Sequence, residues 1–161
     1  MDAVEPGLVP EYAEWLDRVT ATYQAVSYTC RVRLGDSAAA ETVAARVATG
    51  LVARPAVFRH WGLPFSGRIA KLAEDAIADA RAGRAGHVVA WAPFRRALAS
   101  VPPEAQTTFV LTCVEGLDDE QVARRCGCDT ATAGRRRASV LDHMRALAAG
   151  HGGHVGTSDE R

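Results

Sequence analysis

Between residues 11 and 34 the apolar side chains Tyr12, Trp15, Val19, Tyr23, Val26 and Cys30 recur at steps of three and four. That spacing gathers all six on one stripe of an α-helix and would scatter them over both faces of a strand, so the chain begins with a long amphipathic helix. The same period returns downstream. Ala40, Val43, Ala44, Val47 and Leu51 share a second face, and Ile69, Leu72, Ala73, Ala76, Ile77 and Ala80 a third. Aromatic residues make up only 6% of the chain while 48% is apolar, with alanine throughout, a composition that favours helices over a β-sandwich or barrel. The expected fold class is all-α.

Breakers and caps divide the pattern. Gly35 ends the first helix, Asp36 and Ser37 are N-cap residues for the second, and Arg54-Pro55 stops it. A loop with Phe58, Trp61, Gly62, Pro64 and Phe65 follows, after which Ser66 can cap a third helix. Residues 81–86 read RAGRAG, polar and glycine-bearing without periodicity, and suit a hinge. Beyond it Trp91, Phe94, Leu98 and Val101 form another face, closed by Pro102-Pro103, and Phe109, Val110, Leu111 and Val114 lead to Gly116. The chain of 161 residues is long enough for one ordinary domain or two small helical modules, and the second is our expectation. We place a three-helix module at 10–82, a linker at 83–89, a four-helix module at 90–149 and a disordered tail at 150–161.

Nineteen Lys plus Arg balance nineteen Asp plus Glu, so no global field draws the chain to nucleic acid or to an anionic membrane, and any such contact must be local. No apolar run approaches the roughly 20 residues of a membrane span and no secretory signal opens the chain, which leads us to expect a cytoplasmic location. Cys30, Cys113, Cys126 and Cys128 form no CxxC pair and have no histidine at zinc-ligand spacing; they read as small buried apolar residues, with a Cys126–Cys128 redox pair as the alternative. His60, His87 and His143 stand apart, and neither paired carboxylates, a phosphate-cradling loop nor a nucleophile with a base is evident. We therefore expect no enzyme, no metal and no cofactor.

The stretch from 116 to 145 is different. Asp118-Asp119-Glu120-Gln121 is a capping box, its helix should run to Cys126 and end at Gly127, and Asp129 should cap a last helix whose apolar face is Val140, Met144 and Leu147. A short helix, a glycine-centred turn and a second helix with polar residues at its start fit the major groove of DNA. Thr130, Thr132, Arg135 and Arg136 are placed to reach base edges and phosphates. From residue 130 to 145 there are four Arg against one Asp, so positive charge is concentrated here.

Val101-Pro102-Pro103, the helix ending Glu115-Gly116-Leu117, Gln121-Val122-Ala123, Gly127-Cys128, Thr132 and Met144 together resemble the promoter-binding domain of the extracytoplasmic-function sigma factors of bacterial RNA polymerase. The resemblance implies that Thr132, Gly134, Arg135 and Arg136 face DNA, with Thr130 beside them. Arg137 stands where that family usually has an apolar residue, and Gly134 where a cation is common. The first module is similar to the same family's N-terminal domain through RLGDSAAAETVAARV. By that likeness the second helix would meet the polymerase clamp through Glu41, Thr42, Ala45 and Arg46, although Thr42, Ala45 and Arg46 replace the usual acidic and amide residues. On the third helix Glu74 and Asp75 stand where Arg and Asn are usual. Phe58, Trp61 and Phe65 beside Arg59 and Arg68 fit either stacking on unpaired bases or filling a small core. The implied partners are promoter DNA, core RNA polymerase and an anti-sigma factor or other regulatory protein. Two functions follow: a regulator that binds promoter DNA and contacts polymerase, or a sigma-like interaction protein that binds another regulator without initiating transcription.

Overall fold

Local capping sets most helix boundaries in the structure, a computed structural model that describes residues 7–55, 67–84 and 89–150. Helix α1 (Pro10–Leu34) starts on a proline, which needs no hydrogen-bond acceptor in the first turn, and stops at Gly35 in the left-handed conformation. Helix α2 (Ser37–Ala53) is capped by Asp36, whose Oδ1 accepts the amides of Ala38 and Ala39 at 2.9 and 3.3 Å. Ser37 is thus the first helical residue rather than the cap. Helices α3 (Gly67–Arg81), α4 (Trp91–Ala99), α5 (Pro103–Phe109), α6 (Asp119–Cys126) and α7 (Thr130–Ala148) follow, with no strand among the described residues. The all-α expectation holds.

Helix α5 does not run on as a regular α-helix. Residues Val110–Val114 form a π-helical turn, in which the Glu115 amide donates to the Val110 carbonyl at 2.8 Å. Such a turn holds one more residue than an α-turn and so rotates the side chains that follow. Here Val110 and Cys113 enter the main core while Leu111 enters a second, smaller one.

The main core crosses the expected linker. Phe109 lies against Trp15 (ring centres 4.5 Å apart, edge to face) and Tyr12 (5.9 Å, edge to face), joining α5 to α1. Tyr23 of α1 stacks on Trp91 of α4 at 4.4 Å. Val140, Met144 and Leu147 of α7 join the same core, and α7 packs on α2 as well as on α5 and α4. Two buried polar groups cross the boundary. The Tyr12 hydroxyl donates to the Leu98 carbonyl at 2.8 Å, and burial pushes its phenol well above the usual range. Gln106, with no exposed surface, donates to the carbonyls of Val101 (2.7 Å) and Gly7 (3.0 Å) and accepts the Val9 amide (2.7 Å). Residues on both sides of 83–89 therefore share the main core. Amphipathic periodicity shows which face of a helix is apolar and does not say which helix covers it.

Helix α2 is central. Its buried residues are mostly alanine and valine, and α1, α3 and α7 pack around it. Helix α3 is held at its rim by ion pairs: Glu74 with Arg33 of α1, and Asp79 with Arg46 of α2 at 2.8 Å. Glu74 and Asp75, which depart from the family pattern, thus pair with Arg33 and, at 3.2 Å, with Lys71. Cys30 and Cys113 are buried as expected, but Cys126 is exposed and Cys128 half-buried, because the turn at Gly127 lies on the surface. No described helix is long and apolar enough to cross a membrane. Phe58, Trp61, Phe65, Arg59, His60 and His87, together with residues 85–88 and 151–161, lie outside the described residues, as does the side chain of Arg68.

Candidate nucleic-acid interface

Two short-range hydrogen-bond devices hold the start of α6. The Asp118 side chain accepts the Gln121 amide at 2.8 Å and the Gln121 side chain accepts the Asp118 amide at 2.9 Å, a reciprocal capping box. At its other end Gly127 takes φ 71°, where a side chain would be strained, and the amides of Gly127 and Cys128 converge on the Ala123 carbonyl. The chain then turns directly into α7, where Asp129 Oδ1 accepts the Thr132 amide at 2.7 Å. That amide keeps the Asp129 carboxyl below its usual range. Leu111, Val122, Ala123 and Ala133, flanked by Leu117 and Cys128, fill the space between the two helices.

The start of α7 is open to solvent. Thr130 is exposed and Thr132 half-buried, its hydroxyl accepting a hydrogen bond from Arg135 Nη2 at 3.0 Å. Arg135 and Arg136 are both exposed, and neither makes an ion pair among the described residues. The two other arginines of α7 are neutralised locally: Arg145 by Asp142, and Arg137 by Asp119. The positive charge concentrated between residues 130 and 145 thus reduces to two adjacent guanidinium groups beside an N-terminal helix turn, a pattern suited to phosphate oxygens.

Gly134, expected among the DNA-facing residues, faces α6 instead. A Cβ built on it would lie 3.1 Å from Asp119 Oδ2, tighter than an ordinary contact. The carboxylate is there because Arg137 holds it: Nε meets Oδ1 at 2.8 Å and Nη2 meets Oδ2 at 2.9 Å, a two-pronged pair. This hydrogen bonding keeps the Asp119 carboxyl below the usual carboxylate range. The two departures from the family pattern, Gly134 and Arg137, are therefore one arrangement, with Asp119 as the member that the sequence reading missed. The partners are 18 residues apart, outside any helical or capping spacing, so no sequence signal joined them.

The residues expected to meet the polymerase clamp are divided. Glu41 is exposed, Thr42 half-buried with its hydroxyl on the Ala38 carbonyl at 3.1 Å, Ala45 buried, and Arg46 tied to Asp79. Glu41, Thr42 and Ala45 line an open groove of about 480 Å³ together with Tyr23, Trp91 and Pro93. Comparisons of the chain with protein-family models, curated proteins and solved structures return no match.

Proposed function

We propose that this chain is a sigma-like transcription regulator that binds promoter DNA through α6, the Gly127 turn and α7, and contacts RNA polymerase. The observation that carries the reading is the open start of α7, where Thr130, Thr132, Arg135 and Arg136 stand together and, among the described residues, no carboxylate forms an ion pair with either arginine. A helix presented this way enters the major groove with its first turns, its early side chains reaching base edges while arginines hold the backbone. Because the chain carries no net charge, affinity for DNA has to come from a local patch such as this one.

The test is the double variant Arg135→Ala, Arg136→Ala, shown by circular dichroism to be folded and titrated against promoter-region duplex at two salt concentrations. Binding should be lost, with the salt slope falling by about one for each phosphate contact removed. A folded variant that binds as tightly as the parent defeats groove insertion.

One observation favours a second reading. The face of α2 that would dock on polymerase is partly taken up within the chain, since Ala45 is buried and Arg46 is paired to Asp79 while Glu41 stays exposed. On that basis the chain acts as an interaction protein, binding another regulator such as an anti-sigma factor without initiating transcription. Transcription from promoter DNA by core polymerase plus this protein supports the first reading, and failure of that assay with a stable complex to a regulator supports the second.

A further inference from the structure

We infer that Asp119, Arg137 and Gly134 form a positioning unit that sets how α6 presents α7, and that Arg137 is thereby withdrawn from the DNA-contacting set. This rests on the reading of α6 and α7 as the DNA-binding pair. The apolar contact between the two helices is thin: they contribute three buried side chains, Val122, Ala123 and Ala133, and Leu111 of the π turn joins them. Alanines interlock poorly, so this contact alone defines the distance between the helices better than the angle. The turn at Gly127 fixes one end of α6 to the start of α7. Asp119 is the first residue at the far end of α6, and it meets Arg137 in the third turn of α7. The two helices are thus tied at two points instead of one.

The bidentate geometry matters for the angle. A guanidinium fork on a carboxylate restrains direction as well as distance, which a single ammonium contact does not. Gly134 lies three residues before Arg137 on the same side of α7, and its missing Cβ is the room that Asp119 Oδ2 occupies. Glycine in a helix interior is unfavourable relative to alanine, so its presence here fits a close approach rather than helix formation. With Arg137 neutralised by Asp119, the open charge of α7 rests on Arg135 and Arg136, as a positioning role for Arg137 requires.

The experiment uses the full chain with Asp119→Asn, Arg137→Lys, Arg137→Leu, Gly134→Ala and Arg135→Ala. Asp119→Asn keeps the shape and loses the charge, and Arg137→Lys keeps the charge and loses the fork, so both should fold. Backbone residual dipolar couplings of α6 and α7 in the free protein report the interhelix angle, and titration of promoter-region duplex at two salt concentrations reports binding. Asp119→Asn, Arg137→Lys and Gly134→Ala should each change the angle and weaken binding, by about fivefold for loss of the charge-assisted pair. Arg137→Lys and Gly134→Ala should leave the salt slope unchanged, whereas Arg135→Ala should lower it by about one. The proposal is overturned if the angle is unchanged in all three, or if Arg137→Leu lowers the salt slope, which would make Arg137 a phosphate contact. If the parent itself binds no duplex, the DNA reading fails while the angle measurement still decides the positioning claim.

Discussion

Gln106 offers the sharpest test of a core that spans both halves of the chain. It is fully buried, and each of its three hydrogen bonds ends on backbone: the Val101 carbonyl at 2.7 Å, the Val9 amide at 2.7 Å and the Gly7 carbonyl at 3.0 Å. Gln106→Met keeps an unbranched side chain of similar length and removes every donor and acceptor. Gly7 is exposed, so its carbonyl regains water at little cost. Val101 is buried and Val9 half-buried, and stranding a buried polar group costs about 1–3 kcal/mol. The loss should therefore be about 2–4 kcal/mol, equivalent to a fall of roughly 5–15 °C in Tm for a chain of this size. Urea unfolding followed by far-ultraviolet circular dichroism and by tryptophan fluorescence measures it. Both signals should shift together, because Trp15 and Trp91 lie in or against the core that also receives α7. A loss below about 1 kcal/mol, or two separate transitions, would refute this role of Gln106 and favour independent modules.

Other outcomes follow from the same packing. Phe109→Ala removes the ring that touches both Tyr12 and Trp15, and should cost about 3–5 kcal/mol in a denaturant titration. A protease site inserted directly after Arg84 should yield two fragments that still co-elute in size-exclusion chromatography, because Gln106, Tyr12 and Phe109 hold them across the cut. Asp119, Asp129 and Glu74 all have carboxyls below their usual range, held there by hydrogen bonds from Arg137, the Thr132 amide and Arg33 respectively. A depressed folded-state pKa gives stability that is present above the unfolded value and lost as pH falls through the folded one. Urea midpoints should accordingly fall as pH drops below about 4, with Asp119→Asn showing a shallower fall. In a maleimide reaction on native protein, Cys126 should label first and Cys128 more slowly, with Cys30 and Cys113 reacting only after unfolding.

What was legible in the sequence was local. The capping box at Asp118 and Gln121, the Gly127 turn and the Asp129 cap each depend on residues no more than five apart, and each forms as expected. The π turn was not legible, since Val110–Val114 has the composition of a continuing helix and the extra residue answers a tertiary demand: Leu111 and Val110 must reach different cores. Glu41 and Arg46 were expected to meet a partner through the likeness of α2, but Asp79, which pairs with Arg46, is 33 residues away. Cys126 was misplaced for the opposite reason. Residue type suggested burial, whereas its position beside the surface turn decided exposure.

The two halves of α7 carry different duties, and their combination constrains any complex. Its first turns expose Thr130, Arg135 and Arg136, while its last turns bury Val140, Met144 and Leu147 against the core that contains α2. Nineteen residues of helix span roughly 28 Å, so the candidate DNA contact and the buried end are joined by one stiff element. In this arrangement DNA bound at Arg135 and Arg136 has a set orientation relative to α2 and to exposed Glu41. A partner that grips Glu41 meets the DNA at that orientation or must first extract Val140, Met144 and Leu147 from the core. Extraction would expose three apolar side chains, each worth about 1.5–3 kcal/mol when fully buried. A cost of that size separates the two functions: a regulator that contacts polymerase and DNA together must either accept the closed geometry or bind tightly enough to open it, while an interaction protein needs neither.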